Sequence, residues 1–128
     1  MSVHERAAER LRQAYRGGPV APLRDAVEPT DIDGAYAVQA INTRFWQGQG
    51  RRIAGRKIGL TAEAVQKQLG VDRPDFGVLF DDMQIADCGM LYADKVIQPK
   101  AEAEVALVLG HDLNDGATTP EAFANAVD

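Results

Sequence analysis

Residues 98–110, QPKAEAEVALVLG, place two glutamates two positions apart inside a run that otherwise reads as a buried strand. Bounded by Pro99 and Gly110, the segment KAEAEVALVL has strand length and ends in β-formers and leucines. A period of two puts Glu102, Glu104, Ala106 and Val108 on one face and Ala101, Ala103, Val105, Leu107 and Leu109 on the other. The second face is wholly apolar. The first carries two like charges whose Cα atoms lie about 7 Å apart by strand rise, close enough for both to reach one cation. If that face were buried without a cation, at least one glutamate would have to protonate or be exposed. A hard divalent ion, Mg²⁺ or Mn²⁺, resolves the conflict by accepting carboxylate oxygens while keeping positions for water and substrate. A solvated strand face is the plainer alternative, and the pattern alone leaves both open.

With 128 residues and 45% hydrophobic content the chain can bury one modest core. No run approaches the ~18 apolar residues of a membrane span, and MSVHERAAERLRQAY is charged throughout, unlike a secretory signal. The single cysteine, Cys88, makes no internal disulfide, and His4 and His111 are too few for a Cys/His zinc cluster. A soluble, cytoplasmic protein is expected. A net charge of −5 argues against a general nucleic-acid surface. Arg51, Arg52, Arg56 and Lys57 nevertheless cluster, as a local positive site would require.

Val3, Ala7, Leu11 and Ala14/Tyr15 recur at helical spacing and Gly17-Gly18 supplies a stop, which predicts a first amphipathic helix. After the connector PVAPLRDAVEP, Thr30-Asp31-Ile32-Asp33 resembles a capping box ahead of Tyr36, Ile41 and Phe45, so a second helix is expected over about 31–47. RRIAGRKIGL reads as a short strand interrupted by Gly55 and Gly59. Thr61 is the expected cap of a brief helix, AEAVQKQL, closed by Gly70. Residues 71–90 read as loop, with a short strand at 78–80, and Asp72, Asp81, Asp82, Asp87 and Asp94 read as turn residues. Thr119-Pro120-Glu121 opens a final helix with a cap and proline at its first position.

Within GRKIGLT, Lys57 is flanked by glycines and isoleucine. An ammonium partly desolvated there can bind a substrate carboxylate or stabilise an enolate oxygen. A surface lysine on a twisted edge strand is the competing reading. Gly55 and Gly59 allow close backbone approach to a ligand and equally suit a bulge.

GRKIGLTAEAVQKQLGVDRPDFGVLFDDM, followed by VIQPKAEAEVALVLGHDL, strongly resembles the 2-keto-4-pentenoate hydratase family of the fumarylacetoacetate hydrolase superfamily, and APLRDAV and AYAVQAIN extend the likeness across the chain. The resemblance implies an α+β fold in which N-terminal helices and short strands lead into a mixed β-barrel or roll, here truncated. Residues 1–73 would be an N-terminal region and 74–128 an incomplete first part of the catalytic domain. It implies a hydro-lyase of aromatic meta-cleavage catabolism that converts 2-hydroxypenta-2,4-dienoate to 4-hydroxy-2-oxopentanoate with Mg²⁺ or Mn²⁺. Glu102 and Glu104 match metal-binding carboxylates, Lys57 matches the active-site lysine, and Asp75 of PDFG matches an acidic residue of the substrate pocket. Both glutamates are then expected on one strand, facing a cavity that Lys57 also approaches. The resemblance places a third metal carboxylate beyond Asp128 and implies a small-molecule 2-oxo or 2-hydroxydienoate substrate, no nucleic-acid or membrane partner, and a homo-oligomer at full length. Decarboxylation or C–C hydrolysis of a related 2-oxo acid, and a non-catalytic fragment, are the alternatives.

Overall fold

The computed structural model describes residues 1–113 and 119–128. They form two compact units, Met1–Ile97 and Gln98–Asp128.

In the first unit, helix α1 spans Val3–Gly17 and helix α2 spans Ile32–Gly48. Ser2 caps α1 through a reciprocal capping box with Glu5, which also holds the Glu5 carboxyl below its ordinary range by accepting from the Ser2 backbone N–H. Asp31, rather than Thr30, caps α2 by accepting from the Gly34 N–H at 2.8 Å. The helices meet at fully buried Ala7 and Ala8 and at Val38, where short side chains permit close approach. Leu11, Ile41, and Leu23, Ala26 and Val27 of the connector complete this core. Arg10 fixes the connector from outside, donating to both carboxylate oxygens of Asp25 at 2.8 and 2.7 Å.

Strand β1, Ile53–Gly59, pairs antiparallel with strand β2, Asp75–Phe80. Between them lies helix α3, Glu63–Leu69, closed by Gly70 in the left-handed region at φ 72°. The cap of α3 falls on Ala62, which has no side-chain acceptor, so the expected Thr61 cap is corrected by one position. Strand β2 starts three residues before the apolar stretch 78–80. A register shift between Ile53 and Gly55 makes a bulge, and from Gly55 the partners run Gly55–Leu79, Arg56–Val78, Lys57–Gly77, Ile58–Phe76 and Gly59–Asp75.

A two-stranded ribbon is marginal by itself, and its outer edge exposes unpaired backbone groups. Here α2 covers that edge. The Tyr36 hydroxyl accepts from the Phe76 N–H at 3.0 Å, and the Gln39 side-chain amide donates to the Phe76 carbonyl at 2.9 Å. Residues three apart share a helix face, so the two side chains stand in for a third strand.

In the second unit, helix α4 spans Pro120–Ala126, and Thr119 Oγ1 accepts from the Ala122 N–H at 3.1 Å. The predicted strand at 101–109 is corrected. Residues 98–108 have no helix or ladder, and a single antiparallel bridge joins Leu109 to Val127. The Gly110 N–H donates to the Ala126 carbonyl, and the Asp128 N–H donates to the Val108 carbonyl, both at 2.8 Å. Alternating apolar residues create strand propensity, but a strand exists only where another backbone completes its hydrogen bonds. Val105, Leu107 and Val108 are accordingly exposed.

Tyr36→Phe and Gln39→Ala are each expected to destabilise the first unit by about 1 kcal/mol, the net worth of one intramolecular hydrogen bond. Amide exchange at Phe76 should quicken in Tyr36→Phe; unchanged protection would mean that the edge is held otherwise.

The ion pairs also predict acid sensitivity. The Arg10 side-chain hydrogen bond holds Asp25 below the usual carboxylate range, and that of Arg52 does the same for Asp81. Depressed folded-state pKa values stabilise above the unfolded value of about 3.9, and the contribution is lost as pH falls through the folded value. Thermal midpoints should therefore fall as pH is lowered from 5 toward 2, with a shallower fall in Arg10→Met.

Candidate active site

Alternation along the hairpin sorts its side chains onto two faces. Gly55, Lys57 and Gly59 of β1 share a face with Asp75, Gly77 and Leu79 of β2, while Ile58, Phe76, Val78 and Arg56 take the other. Lys57 and Asp75 thus rise from a floor that is otherwise three glycines and one leucine. Lys57 lies directly opposite Gly77 and Asp75 directly opposite Gly59, so the two charged residues are diagonal neighbours. A Cβ added at Gly77 would sit 4.0 Å from Lys57 Cβ, whereas one added at Gly59 would overlap the Asp75 carboxylate.

Immediately after this face the backbone is strained. Leu60 has φ 56°, and its carbonyl accepts from the Gln66 side-chain amide at 2.6 Å. A left-handed conformation costs a residue with a Cβ roughly 1–2 kcal/mol, so the Gln66 contact and the start of α3 hold the turn in place.

A cleft of about 440 Å³ opens between α2 and the residues leading into β2, lined by Tyr36, Gln39, Leu60, Arg73, Asp75 and Phe76 among others. It includes Asp75 but not Lys57. Its cation, Arg73, is already engaged by Asp72 through bonds of 2.7 and 3.1 Å, which lower the Asp72 pKa and raise that of Arg73. The glycine-floored face also presents a cation, Lys57, together with Asp75.

The arginine cluster read as a local positive site divides by role. Arg51 lies 4.1 Å over the Phe80 ring and 5.3 Å from the Trp46 ring, and donates to Asp82 at 2.6 Å. Arg52 donates to Asp81 at 2.9 Å, and the Asp81 N–H returns a bond to the Arg52 carbonyl. These two arginines fasten the end of β2, and their partners Asp81 and Asp82 are two of the five aspartates read as turn residues. Arg56 and Lys57 project to opposite faces.

Glu102 and Glu104 belong to the second unit, exposed within the segment that has no ladder. Their hard carboxylate oxygens suit Mg²⁺, Mn²⁺ or Ca²⁺, but two side chains do not complete a coordination sphere. Among the described residues no three His, Cys, Asp or Glu side chains come together as a metal would need. The donor type fits a divalent ion, and the donor number calls for further ligands.

Two features escaped the sequence reading. Tyr36 was assigned to an apolar helix face, and nothing local signals that its hydroxyl would hold Phe76. Gly59 was recognised as special, but only the strand register reveals that Asp75 lies across from it.

No family model matches the chain. It is 60% identical over 110 residues to 2-keto-4-pentenoate hydratase 2 of Dechloromonas aromatica, covering 85% of this chain and 42% of that protein. It is 50% identical over 125 residues to 2-keto-4-pentenoate hydratase of Paraburkholderia xenovorans, covering 97% of this chain and 46% of the relative. Among solved structures it is similar to 4-oxalocrotonate decarboxylase from Pseudomonas putida G7, complexed with calcium and acetate, with a TM-score of 0.86 and 29% identity over 98% of this chain and 49% of that one. The chain thus spans less than half the length of these relatives. In sequence and in α+β fold it is a homologue of the 2-keto-4-pentenoate hydratases, matching an N-terminal half of such a protein.

Proposed function

We propose that these residues are the N-terminal portion of a divalent-metal-dependent hydratase that converts 2-hydroxypenta-2,4-dienoate to 4-hydroxy-2-oxopentanoate. The observation that carries the reading is the hairpin face on which Lys57 and Asp75 rise from glycines, in a chain 50–60% identical to named hydratases. In this reading 74–128 begin a catalytic domain that continues as a mixed β-barrel or roll, preceded by an N-terminal region over 1–73. Glu102 and Glu104 would hold Mg²⁺ or Mn²⁺ together with ligands from outside these residues. The ion, when bound, would supply Lewis-acid polarisation of the substrate's carboxylate and C2 oxygens.

Lys57 contributes fixed positive charge beside the oxygen on which negative charge develops. The reaction has two parts. Loss of the C2 hydroxyl proton and protonation at C5 give the 2-oxo-3-enoate, whose C4 is electrophilic. Water then adds at C4, with its oxygen bonding there, one proton lost to a base and another gained at C3. Asp75 is the group we assign to holding that proton or orienting the water. The glycine floor gives a flat substrate access to the sheet.

Membership of aromatic meta-cleavage catabolism, a cytoplasmic setting and a homo-oligomeric assembly accompany this reading. Among the described residues no helix is long and apolar enough to cross a membrane. Decarboxylation of a related 2-oxo acid is the second reading, favoured by the solved decarboxylase that the fold matches. Steady-state assays with the dienoate and with 4-oxalocrotonate decide between them. Faster turnover of 4-oxalocrotonate, with release of CO₂, would reverse the assignment.

The 128 residues assayed alone with Mg²⁺ should show little or no hydration, because two carboxylates and waters hold the ion weakly. Robust turnover by a verified 128-residue species would contradict the need for outside ligands.

In a family-length enzyme carrying these residues, Glu104→Gln should lose most activity and regain part of it in excess Mn²⁺. Lys57→Ala removes transition-state stabilisation of about 2.7–4 kcal/mol, so turnover should drop on the order of 100-fold, without rescue by metal. Initial rates across a Mn²⁺ titration check both. Rescue of Lys57→Ala but not of Glu104→Gln would exchange the two roles.

A further inference from the structure

We infer that Gly59 is a positioning residue for Asp75: the absent side chain of Gly59 is the seat of the Asp75 carboxylate. The inference rests on the proposed role of Asp75 and adds the reason why its carboxylate is available on the face of Lys57. Gly59 and Asp75 are directly paired across the hairpin. A Cβ at Gly59 would overlap Asp75 Oδ1 and lie 3.1 Å from Cγ and 3.5 Å from Oδ2, so the whole carboxylate occupies the space above the glycine.

Three further observations separate this role from the ordinary uses of glycine. The backbone of Gly59 is not left-handed, since the positive-φ glycines are Gly18, Gly50 and Gly70, so an alanine could adopt its conformation. The bulge in β1 lies between Ile53 and Gly55, not at Gly59. The other glycines of the floor tolerate a Cβ, which would find its nearest neighbours at 3.9 Å from Gly55 and 4.0 Å from Gly77.

The carboxylate cannot easily yield by moving its own backbone. Phe76, the next residue, has its N–H and carbonyl engaged by Tyr36 and Gln39, so the start of β2 is fixed against α2. Among the described residues the Asp75 carboxylate makes no hydrogen bond or ion pair, so its place is set by the room above Gly59 rather than by a polar partner. A group held in this way keeps its lone pairs for substrate or water. An added methyl would therefore rotate the carboxylate off the face while leaving the strand pairing in place.

The test compares Gly59→Ala, Gly77→Ala, Asp75→Ala and Gly59→Ala/Asp75→Ala in a family-length enzyme carrying these residues. Readouts are kcat, KM, thermal midpoint and the side-chain carboxyl ¹³C resonance of Asp75. Gly59→Ala should lower kcat roughly 10- to 100-fold with KM nearly unchanged, as expected of an ångström-scale misplacement. It should also shift the Asp75 carboxyl resonance, and Gly77→Ala should do neither. In the Asp75→Ala background the added Gly59→Ala should change kcat less than about twofold, because the two substitutions act on one group. Equal effects of Gly59→Ala and Gly77→Ala, or a full Gly59→Ala effect without Asp75, would overturn the inference. Should Gly59→Ala fail to fold, recovery of the folded state by Asp75→Ala supports the seat and continued failure overturns it. An Asp75→Ala enzyme of undiminished kcat would instead remove the proposed role of Asp75, while the carboxyl resonance still decides whether Gly59 seats it.

Discussion

Two side chains of α2, Tyr36 and Gln39, close on the backbone of a single residue, Phe76, and the first unit depends on that closure. A hairpin of two short strands has too little surface to stand alone and leaves one edge open. By taking up both outward-facing groups of Phe76, α2 converts the hairpin from a free ribbon into a layer fixed to the helices. The helix is itself anchored, because Val38, which lies between Tyr36 and Gln39, packs on Ala7 and Ala8 of α1. Small alanines in the first helix therefore bear on the position of Asp75, the neighbour of Phe76, through two intermediate contacts.

Several arginines of this chain serve attachment. Arg10 ties the connector, Arg12 donates to Asn42 at 2.6 Å while lying over Phe45, and Arg51 and Arg52 tie the end of β2. Arginine suits such posts because its planar head can stack on a ring and bond a carboxylate at once. Lys57, on the glycine floor, differs from these arginines in residue type, and its ammonium is a compact charge on a flexible stem.

What could be read from the residues follows from how local each signal is. Helices α1 and α2 were legible because their apolar spacing and stop signals lie within the segments themselves. The Ser2–Glu5 capping box stands in plain residue order just ahead of the apolar stripe of α1. Strand β2 was legible only at 78–80, because Asp75 and Gly77 are poor β-formers that pair through Gly59, Lys57 and the hold on Phe76. The opposite error arose at 101–109, where propensity is high and the ladder partner is missing among the described residues. Lys57 is legible from its flanking glycines and isoleucine and Asp75 only by resemblance, and their sharing of one face requires the register. The aspartates of 81–82 looked like turn residues because their arginine partners are some thirty positions earlier.

The only tryptophan of the chain, Trp46, stands where these attachments converge. Tyr15 of α1 meets it edge-on with ring centroids 6.3 Å apart, Phe45 does so at 5.0 Å, and the guanidinium of Arg51 joins it to Phe80 of β2. The indole of α2 therefore touches α1 directly and β2 through one cation. Residues 98–128 contain no tryptophan. Intrinsic fluorescence excited at the indole is consequently a local optical gauge of the helix-to-hairpin junction and carries no direct signal from the segment that bears Glu102 and Glu104.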